Sequence, residues 1–158
     1  MTSHTPARGT EQPDPYPEQL EQATRGLLEL NVAVLEQMGR TVGLASLRAL
    51  QALERLGPSL VTELGNDLGM LVSTASRLSD RLTEAGLITR RVAPANRRAT
   101  LLELTDSGRK VLDELIAVRT AALQAVAEQM TEHDRAALLA GTRAFTTARR
   151  ELPADPTQ

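Results

Sequence analysis

The sequence predicts a mainly α protein that carries one two-stranded β-hairpin. Three observations predict it. Ala, Leu, Glu and Arg are abundant among the 158 residues, while the aromatics reduce to Tyr16 and Phe145 with no Trp; that balance favours helix over strand. Leucines recur at steps of three and four along most of the chain, the period of one helix face. Two short stretches, residues 87–92 and 100–104, break that period and read as strands. The length suits one domain or two small fused lobes and is enough to bury a core, which Leu, Val, Ile, Ala and Met must build.

The elements follow in order. Residues 1–17 contain Pro6, Pro13, Pro15 and Pro17 and lack the apolar run of a signal peptide, so a disordered tail is expected. Residues 18–38 place Leu20, Ala23, Leu27, Leu30, Val34 and Met38 on one helix face, with Gly39 and Gly43 interrupting. Residues 45–56 repeat the pattern through Leu47, Leu50, Leu53 and Leu56 and stop at Gly57-Pro58, a helix end followed by a residue that cannot continue it. Two short helices come next. Residues 61–68 turn Val61, Leu64 and Leu68 inward before Gly69. Residues 72–85 bury Ala75, Leu78 and Leu82, expose Ser73, Thr74, Ser76, Arg77, Asp80 and Arg81, and stop at Gly86. Two such helices joined by a tight Gly-containing turn form a helix-turn-helix unit.

The strand at residues 87–92 is followed by a turn through Pro94 and Asn96 and a return strand at residues 100–104, giving a hairpin with a basic tip. Thr105 is a natural N-cap for a helix over residues 106–130, with Val111, Leu112, Leu115, Val118, Ala122, Val126 and Met130 as its stripe. Thr131 and Asp134 have capping-box spacing and open a last helix to residue 150. Residues 151–158, with Pro153 and Pro156, read as a second tail.

Composition excludes several functions. With no Cys, disulfides, thiolate metal sites, cysteine nucleophiles and thiol-based oxidant sensing are ruled out, and a reducing cytoplasm fits. No run of about 18 apolar residues occurs, so no membrane span is expected. His4 lies in the tail and His133 near a helix start, so no histidine pair, metal cluster or triad assembles. No Gly-rich phosphate loop precedes a helix. Neither enzymatic activity nor a metal or other cofactor is expected. The net charge of −2 argues mildly against nucleic acid, but distribution outweighs the sum. Residues 70–98 hold Arg77, Arg81, Arg90, Arg91, Arg97 and Arg98 against Asp80 and Glu84, a local balance of +4. Charge alone leaves two readings open, a polyanion-binding face and a solvated surface.

Residues 44–108 contain an ordered set: Leu47-Arg48-Ala49-Leu50, Gly57-Pro58, Glu63-Leu64, Leu68-Gly69, Ser73-Thr74 and Ser76-Arg77-Leu78. It continues with Asp80-Arg81-Leu82, Gly86-Leu87-Ile88, Arg97-Arg98-Ala99, Leu104-Thr105 and Gly108-Arg109. This set resembles the MarR (multiple antibiotic resistance regulator) family of winged helix-turn-helix transcription factors. The resemblance implies a winged helix-turn-helix DNA-binding lobe at residues 44–105. It implies a helical dimerisation lobe from residues 18–43 and 106–150, interleaved with a second copy. A two-fold homodimer then reads an inverted repeat whose half-sites lie about one helical turn apart. The implied role is a cytoplasmic repressor released by a small-molecule effector. The alternatives are a protein-interaction module and a constitutive activator without effector. Repressor and activator differ by operator position, which the chain does not encode.

A helix entering the major groove needs short polar side chains near its start and longer donors beyond. Ser73, Thr74, Ser76 and Arg77 meet that need, while Arg81 suits either a phosphate or a neighbouring carboxylate. In the family, an arginine at the wing tip enters the minor groove, where narrow A·T tracts concentrate negative potential. Arg98 matches that position, with Arg97 as its phosphate-binding neighbour. Arg90 and Arg91 stand equally for backbone contact or solvent exposure. Family effectors bind between the two lobes, in a pocket here lined mainly by aliphatics, with Arg25, Asn31 and Arg48 as candidate polar anchors.

Three positions depart from the family pattern. Leu71-Val72-Ser73 stands where Ser-Pro-Ser is frequent, removing a usual N-cap hydroxyl and leaving Ser73 as a later cap. Gly65 replaces a common Ala within a helix, a change of about 1 kcal/mol against helix. Asn96 replaces a wing Asp that can pair with arginine.

Overall fold

The computed structural model describes residues 14–93 and 96–152, with side chains at all of these except 93 and 96–99. Their order is α1 (Tyr16–Val42), α2 (Leu44–Leu56), β1 (Ser59–Leu60), α3 (Val61–Leu68), α4 (Val72–Glu84), β2 (Ile88–Ala93), β3 (Asn96–Leu104), α5 (Asp106–Ala127) and α6 (Glu132–Glu151). The architecture is mainly α with a small antiparallel sheet. That sheet has three strands rather than the expected two, in the order β1-β3-β2. β1 pairs Ser59 with Leu102 and Leu60 with Leu101, so the hairpin is anchored to the chain that leads into α3. Residues 1–13 and 153–158, most of the two expected tails, lie outside the described residues.

Helix α1 begins at Tyr16, inside the stretch expected to be tail. Pro15 is its N-cap, Pro17 sits in its first turn, and Asp14 Oδ1 accepts from Tyr16 N at 3.0 Å. First-turn prolines start a helix because their missing N–H would be unpaired there anyway. Gly39 does not interrupt the helix, which runs on to Val42 and ends at Gly43.

Two apolar clusters hold the molecule together. Leu50, Leu53, Leu64, Leu78, Leu82, Ile88 and Leu102 form the core of the lobe made by α2, α3, α4 and the sheet, with Leu112 of α5 closing it. Val34 and Met38 of α1, Leu47 of α2 and Leu115 of α5 form the second. Helix α2 therefore feeds both clusters, with Leu50 and Leu53 in the first and Leu47 in the second, and α5 does the same through Leu112 and Leu115. The two lobes share their framework helices.

Capping follows the sequence at α5 and α6. Thr105 Oγ1 accepts from Gly108 N at 3.0 Å, and Thr131 Oγ1 accepts from Asp134 N at 3.1 Å. The Asp134 carboxylate accepts a hydrogen bond from the Thr131 hydroxyl at 2.6 Å instead of reaching the Thr131 amide, so the box is not reciprocal. At α4 the N-cap is Leu71 and no side chain caps the first turn; Ser73 lies within the helix and does not serve. Leu71→Ser should therefore raise stability by about 1 kcal/mol, the usual worth of an N-cap hydroxyl. Denaturant titration of both proteins at equal concentration checks this, and an unchanged or lower midpoint would contradict it.

Candidate nucleic-acid interface

Helices α3 and α4 pack closely where Gly65 faces α4. A Cβ on Gly65 would lie 3.3 Å from both the Ala75 Cβ and the Met70 carbonyl oxygen. The glycine that looked unfavourable for helix is the price of this close approach. The turn between the helices uses Gly69 at φ 63°, in the left-handed region, where a side chain is disfavoured.

Helix α4 divides cleanly. Ala75, Leu78, Ser79 and Leu82 are buried, and the Ser79 hydroxyl donates to Ala75 O at 2.7 Å, which satisfies its buried oxygen. Ser73, Thr74, Arg77, Asp80 and Arg81 are exposed, and Ser76 is half-buried. Ser73 and Arg77 share a face at i, i+4 spacing. The sequence-derived set on α4 thus lies on one outward surface. Sequence reasoning missed two neighbours of that set, Leu71 and Val72, which are also exposed.

The hairpin stands beside α4. Ile88 pairs with Leu104 and Arg90 with Leu102, and the register shifts between Val92 and Ala93 near the tip. Arg90 forms an ion pair with Asp80, tying β2 to α4. Arg91 pairs with Glu103 of the neighbouring strand at 2.8 Å. Two of the six arginines in the basic segment are thereby neutralised within the chain. Among the described residues, no ion pair involves Arg77 or Arg81. Arg97 and Arg98 belong to β3 by their backbone; their side chains, and the wing-tip role expected of them, lie outside the described residues. A further bidentate pair, Arg55 with Asp67 at 2.9 and 2.8 Å, ties α2 to α3 and raises the Arg55 pKa above its ordinary value through the hydrogen bond first and the charge second.

A cleft of about 470 Å³ opens where the two lobes meet, lined by Val42, Leu44, Leu82, Leu87 and Val111, by Thr41 and Ser46, and by Arg81, its one charged residue among those described. The three residues expected as polar anchors of an effector pocket lie away from this cleft. Arg25 pairs with Glu21 on α1 at 2.9 Å, Arg48 is exposed on α2, and Asn31 is half-buried on α1. None of them lines the cleft. Arg81, assigned from sequence to DNA, lines its wall.

Away from this lobe, α6 buries no residue at all. Leu138 and Phe145 are 41% and 56% exposed, as are large apolar side chains of α1 (Tyr16, Leu28) and α5 (Ile116, Val126) to similar degrees. Between α1 and α6 lies an apolar groove of about 920 Å³, lined by Leu20, Leu27, Leu138 and Phe145 among others.

Comparison with known proteins agrees with the geometry. The sequence model of the MarR family matches residues 44–100. An uncharacterised HTH-type transcriptional regulator of Bacillus subtilis (strain 168), YsmB, is 31% identical over 85 residues, which is 54% of this chain and 58% of YsmB. This chain thus matches little more than half of that relative's length. Among solved structures, RV1404 from Mycobacterium tuberculosis is 31% identical at a TM-score of 0.72, over 93% of this chain and 100% of the other. The transcriptional regulator Tm0710 from Thermotoga maritima is 25% identical at a TM-score of 0.71, over 86% and 94%.

Proposed function

This chain belongs to the MarR family, and from that premise we propose that it is a sequence-specific transcriptional regulator that binds duplex DNA as a homodimer. One observation carries the reading: α4 presents Ser73, Thr74 and Arg77 outward beside the hairpin, with no ion pair drawing Arg77 away among the described residues. Hydroxyls at a helix start and an arginine one turn on suit phosphates and base edges in a major groove. Arg90 and Arg91, held by carboxylates, serve wing geometry more than DNA charge. Asp80–Arg90 sets the hairpin against the recognition helix, and Arg91–Glu103 holds its two strands in register.

Dimerisation follows from α6. A 20-residue helix that buries nothing is not supported by its own chain, since helices in water depend on packing an apolar face. A second copy laid into the α1–α6 groove supplies that packing. Two recognition helices then address an inverted repeat. The working form is a cytoplasmic repressor, and the interlobe cleft is its effector site. A wall of aliphatics with one guanidinium and two hydroxyl residues, Thr41 and Ser46, suits a small, largely apolar molecule bearing an anionic group. Such a ligand engages Arg81 and wedges between α4 and the α1–α2 junction, so it moves the recognition helix relative to the dimer.

The test separates the two arginines. In binding titrations against an operator altered in its core or in its flanks, Arg98→Ala should weaken binding and flatten the preference for A·T-rich flanks. Arg77→Ala should weaken binding and relax preference within the half-site core by about 1–3 kcal/mol if it grips a guanine. An even loss across all sequences assigns Arg77 to phosphate. If Arg98→Ala left affinity and flank preference unchanged, the placement of the wing would be wrong.

A further inference from the structure

The leading edge of α4 holds an apolar pair that neither the core nor a cap accounts for. Leu71, the N-cap residue, is 77% exposed and Val72, the first helical residue, is 48% exposed. Leu71 is the most exposed large apolar side chain in the described chain. It offers the helix no cap, where a serine would be more stable and more soluble. The exposed residues that follow the pair along the helix are polar. Ser73 and Thr74 follow it directly, and Arg77 stands one turn beyond, all exposed.

Hydroxyls and a guanidinium around two small apolar groups fit a partner that presents phosphate oxygens, hydrogen-bonding edges and isolated methyls on one surface. The duplex major groove has that composition wherever thymine occurs, because the thymine C5-methyl projects into it beside the O4 acceptor. Resting on the DNA reading above, we propose that Leu71 and Val72 are specificity-determining residues that read thymine methyl groups in each half-site. The N-terminal end of the recognition helix is the part that reaches base edges in this docking mode, and both residues stand at that end. A-form RNA is a poor substitute, since its uracils lack the methyl and its major groove is too narrow for a helix.

The experiment starts from a duplex enriched by the full-length protein from a randomised DNA pool. Each half-site thymine is then replaced in turn by deoxyuridine, which removes the methyl and keeps every hydrogen-bonding group. At one or more positions per half-site the wild-type Kd should rise about fourfold, the worth of one buried methyl-sized group. Replacing the symmetric pair should raise it about fifteenfold. The double variant Leu71→Ser/Val72→Ser, which keeps no methyl beyond Cβ at either position, should bind thymine and deoxyuridine duplexes equally. Because both side chains are exposed, that variant should melt no lower than wild type, and this separates lost methyl reading from lost fold. Insensitivity of wild type to every deoxyuridine replacement would overturn the inference while leaving DNA binding intact. So would an equal penalty in wild type and double variant. Failure to enrich any duplex would overturn the DNA reading itself and this inference with it.

Discussion

Gly108→Ala should destabilise the protein by about 3 kcal/mol, at the upper end for an overpacked site. A Cβ at Gly108 would lie 2.2 Å from the Leu87 carbonyl oxygen and 3.2 Å from its carbon. Both are backbone atoms, so no rotamer change relieves the clash. That carbonyl is also engaged, accepting from Thr105 N at 3.1 Å, while the Thr105 hydroxyl donates to Gly86 O at 2.6 Å and accepts from Gly108 N. The end of α4, the start of β2 and the start of α5 meet at this one knot. Alanine gains about 1 kcal/mol of helix propensity, which is too little to offset displacing three elements. Chemical unfolding at fixed chain concentration measures it, since dimer stability depends on concentration. A midpoint equal to wild type would mean that the Gly86–Gly108 junction is looser than described.

Phe145→Glu should have the larger functional effect. The side chain is more than half exposed in the single chain, so the substitution costs little there. In the proposed dimer the same position is covered, and an unpaired carboxylate buried in an apolar groove is strongly unfavourable. The variant should sediment as a monomer with helical content reduced at α6. It should bind an inverted-repeat duplex at least about a hundredfold more weakly, because two half-sites no longer act together. A dimeric Phe145→Glu variant with full affinity would show that α6 does not form the dimer contact.

Much of the fold was legible because its elements are long and regularly spaced. The stripe of α2 through Leu47, Leu50 and Leu53 and the buried face of α4 through Ala75, Leu78 and Leu82 stand where their period puts them. Thr105 caps α5 as its residue type implies. Other features depend on distant partners and left no local signal. β1 is two residues long, too short for any period, and exists only because β3 passes beside Ser59 and Leu60. Gly39 stays helical because packing in α1 outweighs a propensity cost of about 1 kcal/mol.

Of the candidate site, the outward face of α4 was legible from spacing alone. The fate of the arginines was not. Arg90 and Arg91 take Asp80 and Glu103 as partners through hairpin register and helix placement, neither of which a linear count of charge contains. Likewise Arg81 reaches the interlobe cleft only once α1 and α2 fold against α4. Arg25, Asn31 and Arg48 are polar residues on the helices that flank the expected pocket, and the packing of α1 and α2 leaves them outside the interlobe cleft.

The most direct test of the account is a titration of the full-length protein against an enriched inverted-repeat duplex at salt from about 50 to 200 mM, with sedimentation on the same samples. Two chains should bind each duplex, and the association constant should fall linearly on a log–log plot. The loss across that range should reach about a thousandfold as phosphate-bound counterions are released. A protein that sediments as a monomer, or an affinity indifferent to salt, would contradict it.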